Sequence, residues 1–268
     1  MKADKNRNRP ATMTFPAPVT LTPLAGIPLI AAGDDLAAVL CGALEQTGAT
    51  LADGDVLVLA QKIVSKAEGR LVALESVTAG PRAIELGEQC AKDPRLVELI
   101  LAEADEVMRV RPGVIIVRHR LGLVLANAGI DQSNVDHDGG AAALLLPLDP
   151  DATCQRLRAA IAERTGKTVA VVIIDSLGRA WRNGTLGTAI GVAGFPALLD
   201  LRGRPDLYGR TLETSELGLG DEIAAAASLV MGQAAEGTPA VLIRGLALPA
   251  ATGTAADLVR PRALDLFP

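Results

Sequence analysis

The hydrophobic positions fall into short blocks separated by glycine, proline and acidic turns, and the spacing inside each block predicts its element. Residues 56–60 (VLVLA), 169–174 (VAVVII) and 240–244 (AVLIR) are apolar runs of strand length, the pattern of strands covered on both faces. Residues 113–118 and 121–126 read as a hairpin whose second strand runs on into Asn127-Ala128-Gly129-Ile130-Asp131. Residues 70–74 and 212–216 read as shorter strands. Residues 36–45, 83–90, 95–104, 152–165 and 221–231 have helical composition. Asp34 or Asp35 is placed to cap the first of these, and Gly166 to close the fourth. Strands and helices mix without strict alternation, which predicts an α+β fold with mixed sheets and packed helices rather than a doubly wound sheet.

At 268 residues the chain can bury a core as one large domain or two closely joined ones. Aromatics make up only 2% of it, so the core must be aliphatic, and ring contacts can come only from Phe15, Trp181, Phe195, Tyr208 and Phe267. A net charge of -5 argues against a nucleic-acid partner, which calls for a basic face. The longest apolar runs are far shorter than the ~20 residues a bilayer requires, so no membrane span is expected. The opening stretch is polar and basic with no apolar signal-like run directly after it; residues 1–18 are expected to be a flexible tail ahead of a domain at 19–268. Cys41, Cys90 and Cys154 are odd in number and far apart, which predicts neither a disulfide framework nor a zinc site and favours the reducing cytoplasm.

The chemistry gathers around two aspartates at ends of apolar strands. Asp175 follows the run 169–174, and Asp131 follows 121–126 after a short turn. Carboxylates there are rigidly held yet reachable, and with the Ser176 hydroxyl they suit a hard cation such as Mg²⁺ or Mn²⁺. Aspartates that merely cap a turn would look the same. Residues 175–184 (DSLGRAWRNG) are expected to form a loop after the buried strand, with Arg179 and Arg182 suited to phosphate or carboxylate. A solvated loop with ordinary ion pairs is the other reading. Residues 61–70 (QKIVSKAEGR) offer Lys62, Ser65 and Lys66 to nucleotide phosphates, although an exposed Lys/Glu turn reads alike. Neither standard nucleotide-binding glycine motif occurs, and two histidines leave little room for a His-based triad or zinc site.

Taken together, the motifs are specific. Residues 54–58 continuing through 61–70, ANAGIDQSNV (126–135) and DSLGRAWRNG (175–184) strongly resemble the coenzyme F420-0:L-glutamate ligase family. AIGVAG (189–194), DLYGR (206–210) and DEIAA (221–225) add matches in the family's order, and the similarity runs from about residue 24 to about residue 261.

The resemblance implies an unusual α+β fold, two interwoven subdomains as one option, in an intertwined homodimer. It implies a GTP-dependent ligase that adds L-glutamate, and later γ-linked glutamates, to the deazaflavin precursor F420-0 through an acyl phosphate. Asp131, Asp175, Ser176 and Gln233 would be metal ligands for one or two Mg²⁺ or Mn²⁺ ions, with K⁺ a further candidate. Asp131, Asp175, Arg179 and Arg182 would carry the chemistry. Ile27, Pro28, Leu29, Ile30, Gln61, Lys62, Lys66, Asn134, Gly232 and Gln233 would line the GTP site, within a nucleotide-contacting loop at 232–239.

Departures from the family pattern gather on the acceptor side and the second metal. Ser176 stands where Thr is usual, Leu177 and Ala180 where Phe and Pro are frequent, and Leu121 and Leu123 where His and Phe are common. Gln233 falls where some members carry Glu. A paralogue using another carboxylate or amine, or a non-catalytic GTP-binding descendant, are the alternatives.

Overall fold

In the computed structural model, which describes residues 18–133 and 140–265, the apolar runs form the middle of a five-stranded sheet. The chain enters as β1 (Thr20–Pro23), passes through an irregular segment into α1 (Leu36–Thr47), then builds β2 (Val56–Ala60) and α2 (Gln61–Ala67). Next come β3 (Leu71–Ala73), α3 (Pro81–Cys90), α4 (Pro94–Ala102), β4 (Ala104–Arg111), β5 (Val114–His119), β6 (Val124–Ala126) and β7 (Ala142–Leu144). The remainder is α5 (Pro150–Thr165), β8 (Ala170–Arg179), β9 (Arg182–Ala193), β10 (Leu199–Asp200), β11 (Glu216–Leu217), α6 (Leu219–Met231) and β12 (Ala240–Arg244).

The main sheet runs β1-β12-β2-β8-β9; β2 and β8 are parallel and the other pairs antiparallel. β4-β5-β6 is a separate antiparallel meander, and β3 pairs with β7. Mixed pairing with helices on both sides is the α+β arrangement expected. Alternation along the buried strands explains why both faces must be covered. Leu57, Leu59, Val171 and Ile173 pack against Leu40 of α1, Val64 of α2 and Ile161 of α5. Val56, Val58, Val172 and Ile174 pack against Ile223, Ala224 and Ala227 of α6. A third cluster lies under the meander, where Leu86, Val97 and Ile100 of α3 and α4 meet Ile115 and Val117 of β5.

The caps match the sequence reading. Asp35 accepts from the Ala38 amide at 3.0 Å, and Gly166 closes α5 in a left-handed conformation at φ 68°.

Several expectations are corrected. The segment expected to be a loop at 175–184 is mostly strand: β8 runs five residues past its apolar part to Arg179, pairs with β9, and turns at Ala180 and Trp181. Ladder hydrogen bonds rather than burial hold this exposed arm, so hydrophobic patterning gave no signal for it. β9 was missed because it is rich in glycine, yet the glycines are what let helices lie on it. A Cβ on Gly187 would sit 2.5 Å from the Ala224 carbonyl oxygen, and one on Gly191 2.6 Å from that of Pro150. The helix expected over 95–104 ends at Ala102, ahead of β4 at Ala104, and the strand expected over 212–216 reduces to β11.

Of the expected tail, residues 1–17 lie outside the described residues, as do Asn134 and His137. The three cysteines are free. Among the described residues no helix is long and apolar enough to cross a membrane.

Candidate active site

Parallel pairing of β2 with β8 aligns Ala60 with Ile174, so the two strands deliver the next residues of each side by side. On one side α2 begins at once with Gln61 and Lys62; on the other β8 presents Asp175 and Ser176. Such a junction at the carboxyl ends of parallel strands is where α/β architectures place ligands.

Asp131 reaches the same place from a 3₁₀ turn, residues 127–129, after β6. It is set in register by a two-way bridge: its amide donates to the Leu144 carbonyl at 3.0 Å, and the Leu144 amide donates back at 2.8 Å. Lys62 Nζ lies 2.6 Å from Asp131 Oδ2 and donates to Ser133 Oγ at 3.0 Å. The Ser133 amide donates to Asp131 Oδ1 at 2.6 Å. From the far side, Gln233 directly follows the Gly232 that ends α6, and its Oε1 accepts from Ser176 Oγ at 2.6 Å. Ser228, one helical turn back in α6, holds the Gln233 amide nitrogen at 3.0 Å.

The electrostatics separate the two carboxylates. Burial pushes the Asp175 carboxyl up to about 6; the Ser176 amide opposes this, and the neighbouring charge of Asp131 adds to it. For Asp131, burial also raises the carboxyl, but the Lys62 ammonium and the Ser133 donors outweigh it and leave it below its ordinary value. Two carboxylates that repel each other beside a hydroxyl and an amide oxygen form an all-oxygen set suited to a hard divalent cation. Among the described residues no three His, Cys, Asp or Glu side chains cluster as a metal site, so such a cation would draw its remaining ligands from Ser176, Gln233, water or substrate.

The other expected site residues divide. Lys66 stands one turn beyond Lys62 on the same side of α2. The loop at 232–239 returns to the β2–α2 junction, where the Ala60 amide donates to the Pro239 carbonyl at 2.8 Å. The segment 27–30 is irregular, with Pro28 and Leu29 exposed, Ile27 half-buried and Ile30 buried. Gln61 is buried, and its Oε1 accepts from the buried Ser65 hydroxyl at 2.9 Å, so these two side chains are turned inward. Arg179 and Arg182 pair across the tip of the β8–β9 arm. Arg179 lies four residue steps along the strand from Asp175, roughly 13 Å at ~3.3 Å per residue, so the structure does not bring these arginines to the carboxylates. Trp181 at the tip is 89% exposed. Sequence reasoning missed Ser133 and Ser228 as holders of Asp131 and Gln233. Ser133 lies inside the ANAGIDQSNV motif, whereas nothing marks Ser228 in its alanine-rich helix.

Fold and site together define a protein that gathers two carboxylates, a hydroxyl and an amide oxygen beside a lysine at the edge of a parallel strand pair, and comparison with known proteins gives its class. The family model described as F420-0:Gamma-glutamyl ligase matches residues 26–245. The chain is 48% identical over 251 residues to the Coenzyme F420:L-glutamate ligase of Methanothermobacter thermautotrophicus, covering 93% of this chain and 98% of that one. It is 42% identical over 249 residues to the protein of that name from Archaeoglobus fulgidus, covering 93% and 96%. The Methanopyrus kandleri protein of that name is 48% identical over 214 residues, covering 80% and 82%. The class is therefore a ligase. The chain belongs to the F420-0:gamma-glutamyl ligase family.

Proposed function

We propose that the chain joins L-glutamate to the deazaflavin precursor F420-0 in a reaction driven by GTP and dependent on Mg²⁺ or Mn²⁺, and that further glutamates follow through γ-linkages. One observation carries the reading: Lys62, Asp131, Asp175, Ser176 and Gln233, from four separated parts of the chain, converge where the parallel pairing of β2 with β8 ends. Its place within the family supports the substrates.

In this reading a carboxylate oxygen of F420-0 attacks the γ-phosphorus of GTP, the bond to the bridging oxygen breaks, and GDP leaves. The resulting acyl phosphate is attacked at its carbonyl by the neutral glutamate amine, which loses a proton as inorganic phosphate departs and the amide forms. Little covalent chemistry falls to the protein; phosphoryl transfer asks for positioning and charge neutralisation. One or two divalent ions at Asp131, Asp175, Ser176 and Gln233 would neutralise phosphate oxygens. Lys62 and Lys66 offer ammonium groups from one side of α2. Residues 27–30, Asn134 and the 232–239 loop frame the nucleotide, and K⁺ is a further candidate there. Gln61 shapes the pocket through its backbone, its side chain being committed to Ser65. The exposed guanidiniums of Arg179 and Arg182 suit the anionic groups of the acceptor on the outer side.

The protein acts as a homodimer in the cytoplasm. Trp181, Leu207 and Tyr208, exposed on two projecting hairpins, support the former, and three free thiols the latter.

The test is incubation of purified protein with F420-0, L-glutamate, GTP and Mn²⁺, read by mass spectrometry. A product heavier by one or more glutamyl residues, dependent on GTP and metal, is expected. GTP consumption with F420-0 unmodified would reject the acceptor, and an equal yield without GTP would reject the mechanism.

A further inference from the structure

The QKIVSKAEGR motif spans α2 and the turn beyond it. Lys62 pairs with Asp131 at one end, whereas Glu68 and Arg70, just beyond the other, bond to the segment 145–148.

Glu103, at the end of α4, is 8% exposed and receives three cationic or polar neighbours. Arg70 Nη2 lies 2.7 Å from Oε1, Arg120 Nε 3.1 Å from Oε2, and His119 Nε2 3.4 Å from Oε2. His119 is fully buried, and its Nδ1 accepts from the Leu121 amide at 3.0 Å, which leaves the proton on Nε2, facing Glu103.

The two arginines spend their remaining donors on a single stretch of chain. Arg70 Nε donates to the Leu146 carbonyl at 2.9 Å; Arg120 donates to the Pro147 carbonyl at 3.0 Å and the Leu148 carbonyl at 2.6 Å. The Leu145 amide donates to the Arg70 carbonyl at 3.1 Å, and the Leu148 amide to Glu68 at 2.9 Å. This stretch continues directly from Leu144, the residue whose amide and carbonyl hold Asp131. Five consecutive residues, 144–148, are thus tied down outside any long ladder, and two of the side chains that tie them are aimed by one carboxylate.

We propose that Glu103 is a positioning residue for the cation site: through Arg70 and Arg120 it fixes the segment 144–148 and thereby the place of Asp131. α2 acts as the splint. Its Lys62 pairs with Asp131 directly, while Glu68 and Arg70 just beyond its other end hold the strand on which Asp131 hangs. Outer-shell groups of this kind orient a metal ligand without touching the metal. The inference rests on the cation reading given under the proposed function.

Glu103→Gln keeps the shape and removes the charge that orients both arginines. Two readouts decide the matter, alongside Leu86→Ala, a core truncation in α3 that removes no polar group. The first is amide hydrogen exchange at Asp131 and Leu144 relative to Val172 in β8. About tenfold faster exchange at the first two, with Val172 little changed, is expected. The second is Mn²⁺ titration by EPR without nucleotide, where Glu103→Gln is expected to weaken affinity about ten- to a hundredfold. Leu86→Ala is expected to leave it unchanged.

A uniform rise in exchange, an equal Mn²⁺ loss in Leu86→Ala, or local exchange with unchanged Mn²⁺ affinity would each overturn the proposal. If Glu103→Gln does not fold, Arg120→Ala, at a more exposed position, removes the donors to Pro147 and Leu148. It must then show the same local exchange and roughly a threefold loss of Mn²⁺ affinity, and absence of either overturns the proposal. A wild type that takes up no Mn²⁺ rejects the cation reading itself; the exchange pattern alone then decides whether Glu103 positions Asp131.

Discussion

Gly187 sits where core packing meets the site, and replacing it with alanine is the sharpest test of that packing. It pairs with Ser176 across the β8–β9 ladder, and α6 lies directly against it. A Cβ built there falls 2.5 Å from the Ala224 carbonyl oxygen and 2.7 Å from Ser228 Cβ, both on α6. Backbone cannot rotate away as a side chain can, so the helix must retreat by about half an ångström. Overpacking of this kind costs about 1–3 kcal/mol. Loss of glycine freedom in the unfolded chain offsets about 0.4–1 kcal/mol of that. The net is a destabilisation of roughly 1–2 kcal/mol, a Tm drop of roughly 2–8 °C for a chain of this size. Because Ser228 holds Gln233, whose oxygen meets Ser176, the same retreat should weaken Mn²⁺ binding. Gly191→Ala provides the comparison: its Cβ would meet the Pro150 backbone at 2.6 Å, on the α5 side and away from Gln233. Thermal unfolding followed by circular dichroism, together with Mn²⁺ titration, reads both effects. A Gly187→Ala protein as stable as wild type would refute the packing argument. Equal Mn²⁺ loss in both variants would refute the link through α6.

Other consequences can be checked in the same material. Asp175→Asn should abolish turnover yet raise Tm in EDTA at pH 7.5: burial pushes the folded carboxyl from its ordinary 3.8 up to about 6, so stability falls as pH rises between those values and the full penalty stands above them, and an amide removes the charge. An unchanged or lower Tm would contradict the environment assigned to it. For Glu103, burial works against ionisation, but His119 and the two arginines outweigh it and hold the folded carboxyl at about 2. Its stabilisation is full above the ordinary value of 4.5 and is lost as pH falls through about 2, on the order of 3 kcal/mol. The stability difference between wild type and Glu103→Gln in urea should therefore shrink from pH 5 to pH 2.5, and a constant difference would count against the charged knot. Gln233→Glu adds a charge to the oxygen set and should tighten Mn²⁺ about tenfold, an effect of ligand charge that an unaltered titration curve would exclude.

The hydrophobic pattern determined much of this molecule by itself. The runs at 56–60, 169–174 and 240–244 read as strands buried on both faces, because they are too short for a helix, rich in β-branched residues and bounded by turn residues. The caps at Asp35 and Gly166, the α+β class, and Asp131, Asp175 and Lys62 as candidate site residues were legible for similarly local reasons. The motifs also identified the family.

What the chain could not disclose one residue at a time was decided by tertiary contact. The segment from Asp175 to Gly184 reads as a loop because most of its residues are polar or glycine, and only pairing with a second strand makes it regular. The glycines of β9 look like turn signals until a helix is laid against them. Gln61 and Ser65 read as polar candidates for a nucleotide, and only folding showed them turned into the core toward each other. Arg70 and Glu103 are 33 positions apart, and Asp131 meets Lys62 across 69. Sequence periodicity reports which face of an element seeks the interior; it carries no information about which distant charge will be there to meet it.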